Sequence, residues 1–243
     1  MCPTCGAGPL DAADSYCTTC GAELRQPRVA VERKIVSVLF VDLVGFTGLA
    51  EKLDPEDVRG LLGPYYARVR EEIELYGGTV EKFIGDAVMA LFGAPTAHED
   101  DPERAVRAAN AVRNAVAGPR PEEGSLQLHV RVGIATGEAV VAVGARPREG
   151  EAMAHGDVVN TAARLQAGAP VDGIFVDERT YRSTRLQIDF RPAPPVHAKG
   201  KVKPVTVWEV VAPRARLGAD RFRHDARLVG RAREVDVLSL IHI

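Results

Sequence analysis

Between residues 35 and 41 every position except Ser37 is apolar, in the order Ile35-Val36-Ser37-Val38-Leu39-Phe40-Val41. A run that is apolar on both parities predicts a central strand buried on both faces. It ends on Asp42. Asp54-Pro55-Glu56 then reads as a helix start, with aspartate at the N-cap and proline at the first helical position. That helix is expected to run to about Tyr76 and to stop at Gly77-Gly78. Thr79 to Leu91 predicts a hairpin turning at Gly85-Asp86, a pair suited to a tight primed turn. Asp101-Pro102 opens a second helix, with Ala105, Val106, Ala109, Val112 and Val116 at helical spacing. Leu126 to Val143 predicts one long strand or two shorter ones broken near Thr136-Gly137. Gly156 to Ala167 reads as a helix with Asn160 and Arg164 on one face. Gly173 to Val176 and Val205 to Val211 read as late strands. Leu24 to Val31 reads as a polar linker, and Gly118 to Ser125 and Arg146 to Gly150 as loops. Strands and helices interleave, so the expected architecture is an α/β or α+β sandwich with helices packed on one sheet.

Composition narrows the class without naming a function. Of 243 residues, 46% are apolar and 26% charged, as in ordinary globular proteins. A formal net charge of −2 gives no reason to expect nucleic acid or an acidic membrane as partner. No apolar run reaches the roughly 20 residues that span a bilayer. The chain opens on cysteines and not on a basic and then apolar stretch, so no signal peptide is read and a cytoplasmic protein is expected.

All four cysteines fall within the first 20 residues, as Cys2-Pro3-Thr4-Cys5 and Cys17-Thr18-Thr19-Cys20. Each pair is followed by a glycine, Gly6 or Gly21. A CxxC turn aims two sulfurs at one point, and two such turns complete a tetrahedral site for one Zn²⁺. Disulfides are disfavoured in a cytosolic chain. Residues 1–26 are therefore expected to form a small zinc ribbon. With no open coordination position, it is expected to be structural or to dock an unknown protein.

Two further segments carry chemistry. Val38 to Thr47 places Asp42 at a strand end, followed by Val44-Gly45-Phe46. Glu81 to Gly93 places Asp86 in the expected hairpin turn. Two carboxylates held by rigid strands can bind hard divalent cations, which favour oxygen ligands and substrate phosphates. A metal pair of that kind clamps an in-line displacement at phosphorus.

These two segments, with Gly156-Asp157-Val158-Val159-Asn160-Thr161-Ala162-Ala163-Arg164-Leu165 and Ala198-Lys199-Gly200-Lys201, resemble the class III adenylate/guanylate cyclase catalytic domain over residues 32–211. The resemblance implies an α+β fold, a ferredoxin-like βαββαβ sandwich that works as a head-to-tail homodimer with active sites at the interface. It implies that Asp42 and Asp86 ligate two Mg²⁺ or Mn²⁺. It further implies that Lys82 reads adenine, Asn160 orients the ribose, and Arg164 stabilises charge at the α-phosphorus. Lys199 would bind the terminal phosphates, and the backbone amides of Val44, Gly45 and Phe46 would contact phosphate oxygens. The implied activity is conversion of ATP to 3′,5′-cyclic AMP and pyrophosphate in intracellular signalling. Two alternatives belong to other classes: a degenerate nucleotide-binding domain regulating an attached ATPase, and a zinc-ribbon docking protein.

From Ala212 the composition shifts to an arginine-rich linker, 212–227. Leu228 to Val235 resembles the opening of AAA-like or NB-ARC-like ATPase domains, so residues 228–243 are expected to be a truncated start of one. The last residues, Leu238 to Ile243, resemble a translated sequencing-adapter end.

One position departs from the family pattern. Seven residues before Asn160, where the family reads the base with Asp or Thr, stands Met153. A thioether is a weak acceptor, and an apolar contact discriminates by only roughly 10- to 200-fold, far less than a hydrogen-bonding site. The ratio of kcat/KM for ATP over GTP is expected in that lower range, and Met153→Asp is expected to widen it. Cyclisation of both nucleotides under one metal condition measures both.

Overall fold

In the computed structural model, residues 2, 4–8, 16–22, 30–117, 127–143, 154–196 and 204–214 are described. The elements are β1 (Ala30–Leu43), α1 (Phe46–Ala50), α2 (Pro55–Leu75), β2 (Thr79–Ile84), β3 (Ala87–Phe92), α3 (Asp101–Ala117), β4 (Val130–Val143), β5 (Ala154–His155), α4 (Asp157–Gly168), β6 (Ile174–Asp177), α5 (Glu178–Thr184), β7 (Ile188–Val196) and β8 (Val205–Pro213). The sheet runs β2-β3-β1-β4-β6-β8-β7, with β5 beside β4. Its first half, built from β1, α2, β2, β3, α3 and β4, is the expected βαββαβ core. Pairing is antiparallel except between β4 and β6.

The apolar run of β1 is central, as its pattern requires. Odd positions Leu39, Val41 and Leu43 face α2, α3 and α5 in one core, with Val88, Phe92, Val132 and Ile134. Even positions Val36, Val38 and Phe40 face α4 in a second core, with Met89, Leu91, Ala162 and Leu165. The five α3 positions read from helical spacing are all buried. The β2–β3 hairpin turns at Gly85-Asp86 as expected.

Several local expectations are corrected. β1 begins at Ala30, inside the stretch read as linker, because it pairs with β4 as far as Val143. β4 is one unbroken strand, the first of the two readings the sequence left open. Gly137 does not break it; a Cβ there would lie 3.2 Å from Val158 Cβ, so the glycine makes room for α4. Asp54 has the extended backbone of an N-cap, but its side chain makes no capping hydrogen bond. β7 was not anticipated, since Pro192, Pro194 and Pro195 argue against a strand. It lies at the sheet edge, where a missing N–H disrupts no central ladder. The short helices α1 and α5 were not anticipated either.

Among the described glycines the tightest is Gly133, where a Cβ would stand 2.2 Å from the Gln166 amide nitrogen and 2.3 Å from the Ala162 carbonyl oxygen. Both are helix backbone and cannot rotate away. Gly133→Ala is therefore expected to push α4 off the sheet and to cost about 1–3 kcal/mol or more, the scale of overpacking. Gly137→Ala meets only a valine side chain, so it is expected to cost distinctly less. Denaturant midpoints of the two variants check the order.

Candidate active site

Asp42 is the penultimate residue of β1, half-buried, on the same face as Val38 and Phe40. Asp86 sits in the β2–β3 turn, also half-buried. β3 pairs with β1 up to Val88↔Val41, which carries the turn to the end of β1. The two carboxyl groups are close enough to share a hydrogen bond. Burial, then the charge of Asp86 and the hydrogen bond with it, push Asp42 up to about 6; Gln166 and Arg131 pull the other way. Two carboxylates facing each other in a half-buried place are electrostatically costly without a cation.

The surroundings add donors. Gln166 of α4 donates from Nε2 to Asp42 Oδ2 at 3.1 Å. Arg131 stands opposite Asp42 in the β1–β4 register, and its buried Nε has no hydrogen-bond partner. Tyr65 of α2 is 1% exposed, and its hydroxyl has no partner either. Burial, and then the charges of Asp42 and Asp86, keep that hydroxyl protonated by raising its pKa. An orphaned donor beside paired carboxylates suits a cation with its own water ligands. Tyr66 donates to the Gly85 carbonyl and packs its ring, tilted by 38°, 4.3 Å from that of Phe83, steadying the turn that bears Asp86. None of Tyr65, Tyr66, Arg131 and Gln166 was singled out in the sequence. Only helix and strand periodicity marked their positions.

Past Asp42 the chain turns through Val44-Gly45 into α1. Gly45 has φ 74°, a left-handed conformation that glycine adopts without strain. The amide of Val44 is already committed, donating to the His129 carbonyl at 2.8 Å. This corrects the expectation that it contacts phosphate; the amides of Gly45 and Phe46 remain as the candidates.

Lys82 stands on β2, and Asn160 and Arg164 on α4. Lys82 is exposed on β2 and pairs with Glu81 at 3.7 Å. The ladder slips by one residue between Val80 and Lys82, at Glu81. Asn160 is exposed and Arg164 half-buried, one turn apart on α4. At 100° per residue, Gln166 lies about 160° around the helix from Arg164 and about 120° from Asn160. The face that meets Asp42 is therefore not the face that carries Asn160 and Arg164. Lys199 and Met153 lie outside the described residues, as do Lys201 and residues 215–243.

A separate cavity of about 390 Å³ between β4, β8 and the start of α4 is lined by Glu138, Asp157, Asp177 and Glu178. Asp177 Oδ1 accepts from the Thr180 amide at 3.0 Å, and Glu178 Oε2 from the Trp208 indole at 2.8 Å. Among the described residues the lining has four carboxylates and no lysine or arginine, a set that does not suit a polyphosphate.

The cysteines form two matching knuckles. Cys2 N donates to the Ala7 carbonyl and Gly6 N to the Cys2 carbonyl; Cys17, Ala22 and Gly21 repeat the pattern. Gly6 and Gly21 have φ of 72° and 70°, which is why a glycine follows each CxxC. The four sulfurs lie within 4.8 Å of one another, with Cys2–Cys20 and Cys5–Cys17 both at 3.7 Å. A tetrahedral Zn²⁺ with Zn–S of about 2.3 Å needs S···S of roughly 3.8 Å. The backbone amide of Cys5 leads the groups that pull the Cys2 thiol down to about 6. For Cys20 the Ala22 amide pulls down, but the sulfur of Cys5, burial and the other two sulfurs outweigh it and push the thiol up to about 12. Four thiolates at this spacing need a cation, and the cluster is consistent with a small zinc-binding motif.

Comparison with known proteins adds the family. The adenylate and guanylate cyclase catalytic domain matches residues 29–210. Adenylate cyclase 1 of Rhizobium meliloti (strain 1021) is 33% identical over 188 residues, which is 75% of this chain and 28% of that protein. The chain spans less than a third of the curated relatives it matches. The adenylyl cyclase CyaB from P. aeruginosa superposes with a TM-score of 0.69 at 32% identity, covering 78% of this chain and all of that one. The guanylyl cyclase Cya2 does so with 0.61, also at 32%, covering 75% and 94%. Both nucleotide specificities thus occur at the same identity. Nothing in these comparisons supports an ATPase domain over residues 228–243, and the match ends at residue 210. Among the described residues, no helix is long and apolar enough to cross a membrane. Through residues 29–210, the chain belongs to the adenylate and guanylate cyclase catalytic-domain family.

Proposed function

We propose that this chain is an adenylate cyclase, forming 3′,5′-cyclic AMP and pyrophosphate from ATP in a homodimer. The observation that carries the reading is the meeting of Asp42, from the end of β1, and Asp86, from the β2–β3 turn, in one half-buried site with unpaired donors around it. Two Mg²⁺ or Mn²⁺ bound there would activate the ribose 3′-hydroxyl and neutralise the triphosphate. The residues of the chain supply position and charge. Asp42 and Asp86 offer carboxylate oxygens in a fixed relation, and the Gly45 and Phe46 amides face phosphate where no side chain intrudes. Lys82 donates to the base, Asn160 holds the ribose, Arg164 offsets charge growing on the α-phosphoryl oxygens, and Lys199 pairs with the terminal phosphates. Most of the rate enhancement then comes from orientation and preorganised charge.

The faces of α4 support the dimer. Gln166 touches Asp42 of its own chain, while Asn160 and Arg164 look another way. On this reading a complete site takes Asp42 and Asp86 from one chain and Lys82, Asn160 and Arg164 from its partner. The catalytic domain is assigned to residues 32–211, between a zinc ribbon over 1–26 and a linker over 212–227. The ribbon holds one Zn²⁺ and is structural or docks an unknown protein.

Asp42→Ala and Asp86→Ala are each expected to abolish cyclisation while leaving the fold intact, because a ligand and not packing is removed. Mixing Asp42→Ala with Arg164→Ala is expected to restore one site per mixed dimer. Activity retained in either aspartate variant sinks the metal assignment. Failure of the mixture after verified subunit exchange sinks the shared site.

Asp42→Asn removes one of two repelling charges at little change in volume. Without metal its unfolding temperature is expected to equal or exceed that of the unaltered protein, although activity is lost. A thermal scan in chelator reads this.

Mass spectrometry under non-denaturing conditions is expected to find one zinc per chain. The Cys17→Ser, Cys20→Ser double variant is expected to lose it. A metal-free mass for the unaltered protein would count against the ribbon.

A further inference from the structure

Helix α4 reaches the carboxylate pair through Gln166. Gln166 Nε2 donates to Asp42 Oδ2 at 3.1 Å, across 124 residues of sequence. The backbone of Gln166 is held as well. A Cβ at Gly133 would stand 2.2 Å from its amide nitrogen and 2.8 Å from its Cα, so α4 rests on bare strand at this residue. Gly133 pairs with Phe40, and Arg131 with Asp42, in the β1–β4 ladder. The support beneath Gln166 is thus one side-chain repeat along the strand from the carboxylate that Gln166 touches. A carboxamide NH₂ is neutral and donates only. With one oxygen tied to a helix that cannot shift, rotation of the Asp42 carboxylate is restrained and its remaining lone pairs are held in one orientation.

We propose that Gln166 is a positioning residue, holding the Asp42 carboxylate of its own chain in the orientation that binds a divalent cation. The inference rests on the metal reading of Asp42 and Asp86 given above. It also gives α4 two duties. One face tends the metal carboxylate of its own chain, and another, with Asn160 and Arg164, serves the site completed with the partner chain. An outer hydrogen bond of this kind commonly changes metal affinity or activity by about 10- to 100-fold when removed.

The test uses the whole chain and Mn²⁺ alone, with bound and free ion distinguished by electron paramagnetic resonance. The variants are Asp42→Ala, Gln166→Leu and Gln166→Met, the last nearly matching glutamine in length and flexibility without a donor. Asp42→Ala is expected to lose the Mn²⁺ bound at this site. Both Gln166 variants are expected to weaken it by about 10-fold or more, with metal-free unfolding midpoints close to the unaltered protein. If Asp42→Ala binds Mn²⁺ normally, the metal reading itself fails. If Asp42→Ala loses the ion while both Gln166 variants bind as before, that reading stands and this inference falls. Weaker binding accompanied by a lower metal-free midpoint in both variants would assign Gln166 to anchoring α4, and would also overturn it.

Mixed dimers supply a second readout. In the Asp42→Ala and Arg164→Ala mixture, the restored site takes Asp42 from the Arg164→Ala chain. Gln166→Met on that chain is expected to cut the recovered activity by about 10-fold or more, whereas on the Asp42→Ala chain it does not. The opposite pattern would mean that Gln166 acts through Asn160 and Arg164, and would overturn the proposal.

Discussion

The pairing of β1 on both edges is the constraint from which the rest of the domain follows. Along one edge it meets β4 through fourteen residues, and along the other β3 through five. From Val36 to Leu43 its side chains, Asp42 apart, are buried alternately in two cores, whereas Val31, Glu32, Arg33 and Ile35 at its start are exposed. Each fully buried Val or Leu contributes about 1.5–3 kcal/mol, and a one-residue slip would exchange the two sets of side chains between cores. The register is therefore firmly specified, and with it the place of Asp42. Because β3 is locked to the same strand, the turn bearing Asp86 has one place to go.

That rigidity is what allows two carboxylates to be held together against their own repulsion. The cost shows in Asp42, pushed up by burial and by Asp86, and in the unpaired hydroxyl of Tyr65. Sites of this kind break local rules of burial and pairing that the surrounding sheet obeys, which is how function is commonly recognised in a fold. The acidic cavity beside β8 is the useful contrast. Of its carboxylates, Asp177 caps a helix and Glu178 holds an indole, so these two serve the fold.

Helix α4 connects the sheet to the chemistry. It lies on Gly133 with no side chain between helix and strand, and packs Val158, Ala162 and Leu165 into the second core. From that fixed seat, Gln166 points to Asp42, while Asn160 and Arg164 point away. Gln166 thus lies on a different face of the helix from Asn160 and Arg164.

The sequence by itself determined the central strand, the β2–β3 hairpin, helices α2, α3 and α4, the two CxxC knuckles and the candidate carboxylates. These depend on short-range patterns: continuous apolarity, helical spacing, a Gly-Asp turn, and cysteines followed by a glycine. Tertiary structure decided what those patterns leave open. β7 carries three prolines and forms a strand because an edge position tolerates missing donors. Gly137 looked like a break and is a seat for Val158. A bulge at Glu81, invisible to simple alternation, sets the register of Lys82. The Val44 amide was lost to His129 through a contact 85 residues away. Gln166 gained its role from Asp42 across 124 residues. Local sequence fixes which backbone a segment prefers, but which groups meet is settled by packing between segments far apart in the chain, and the site is made of such meetings.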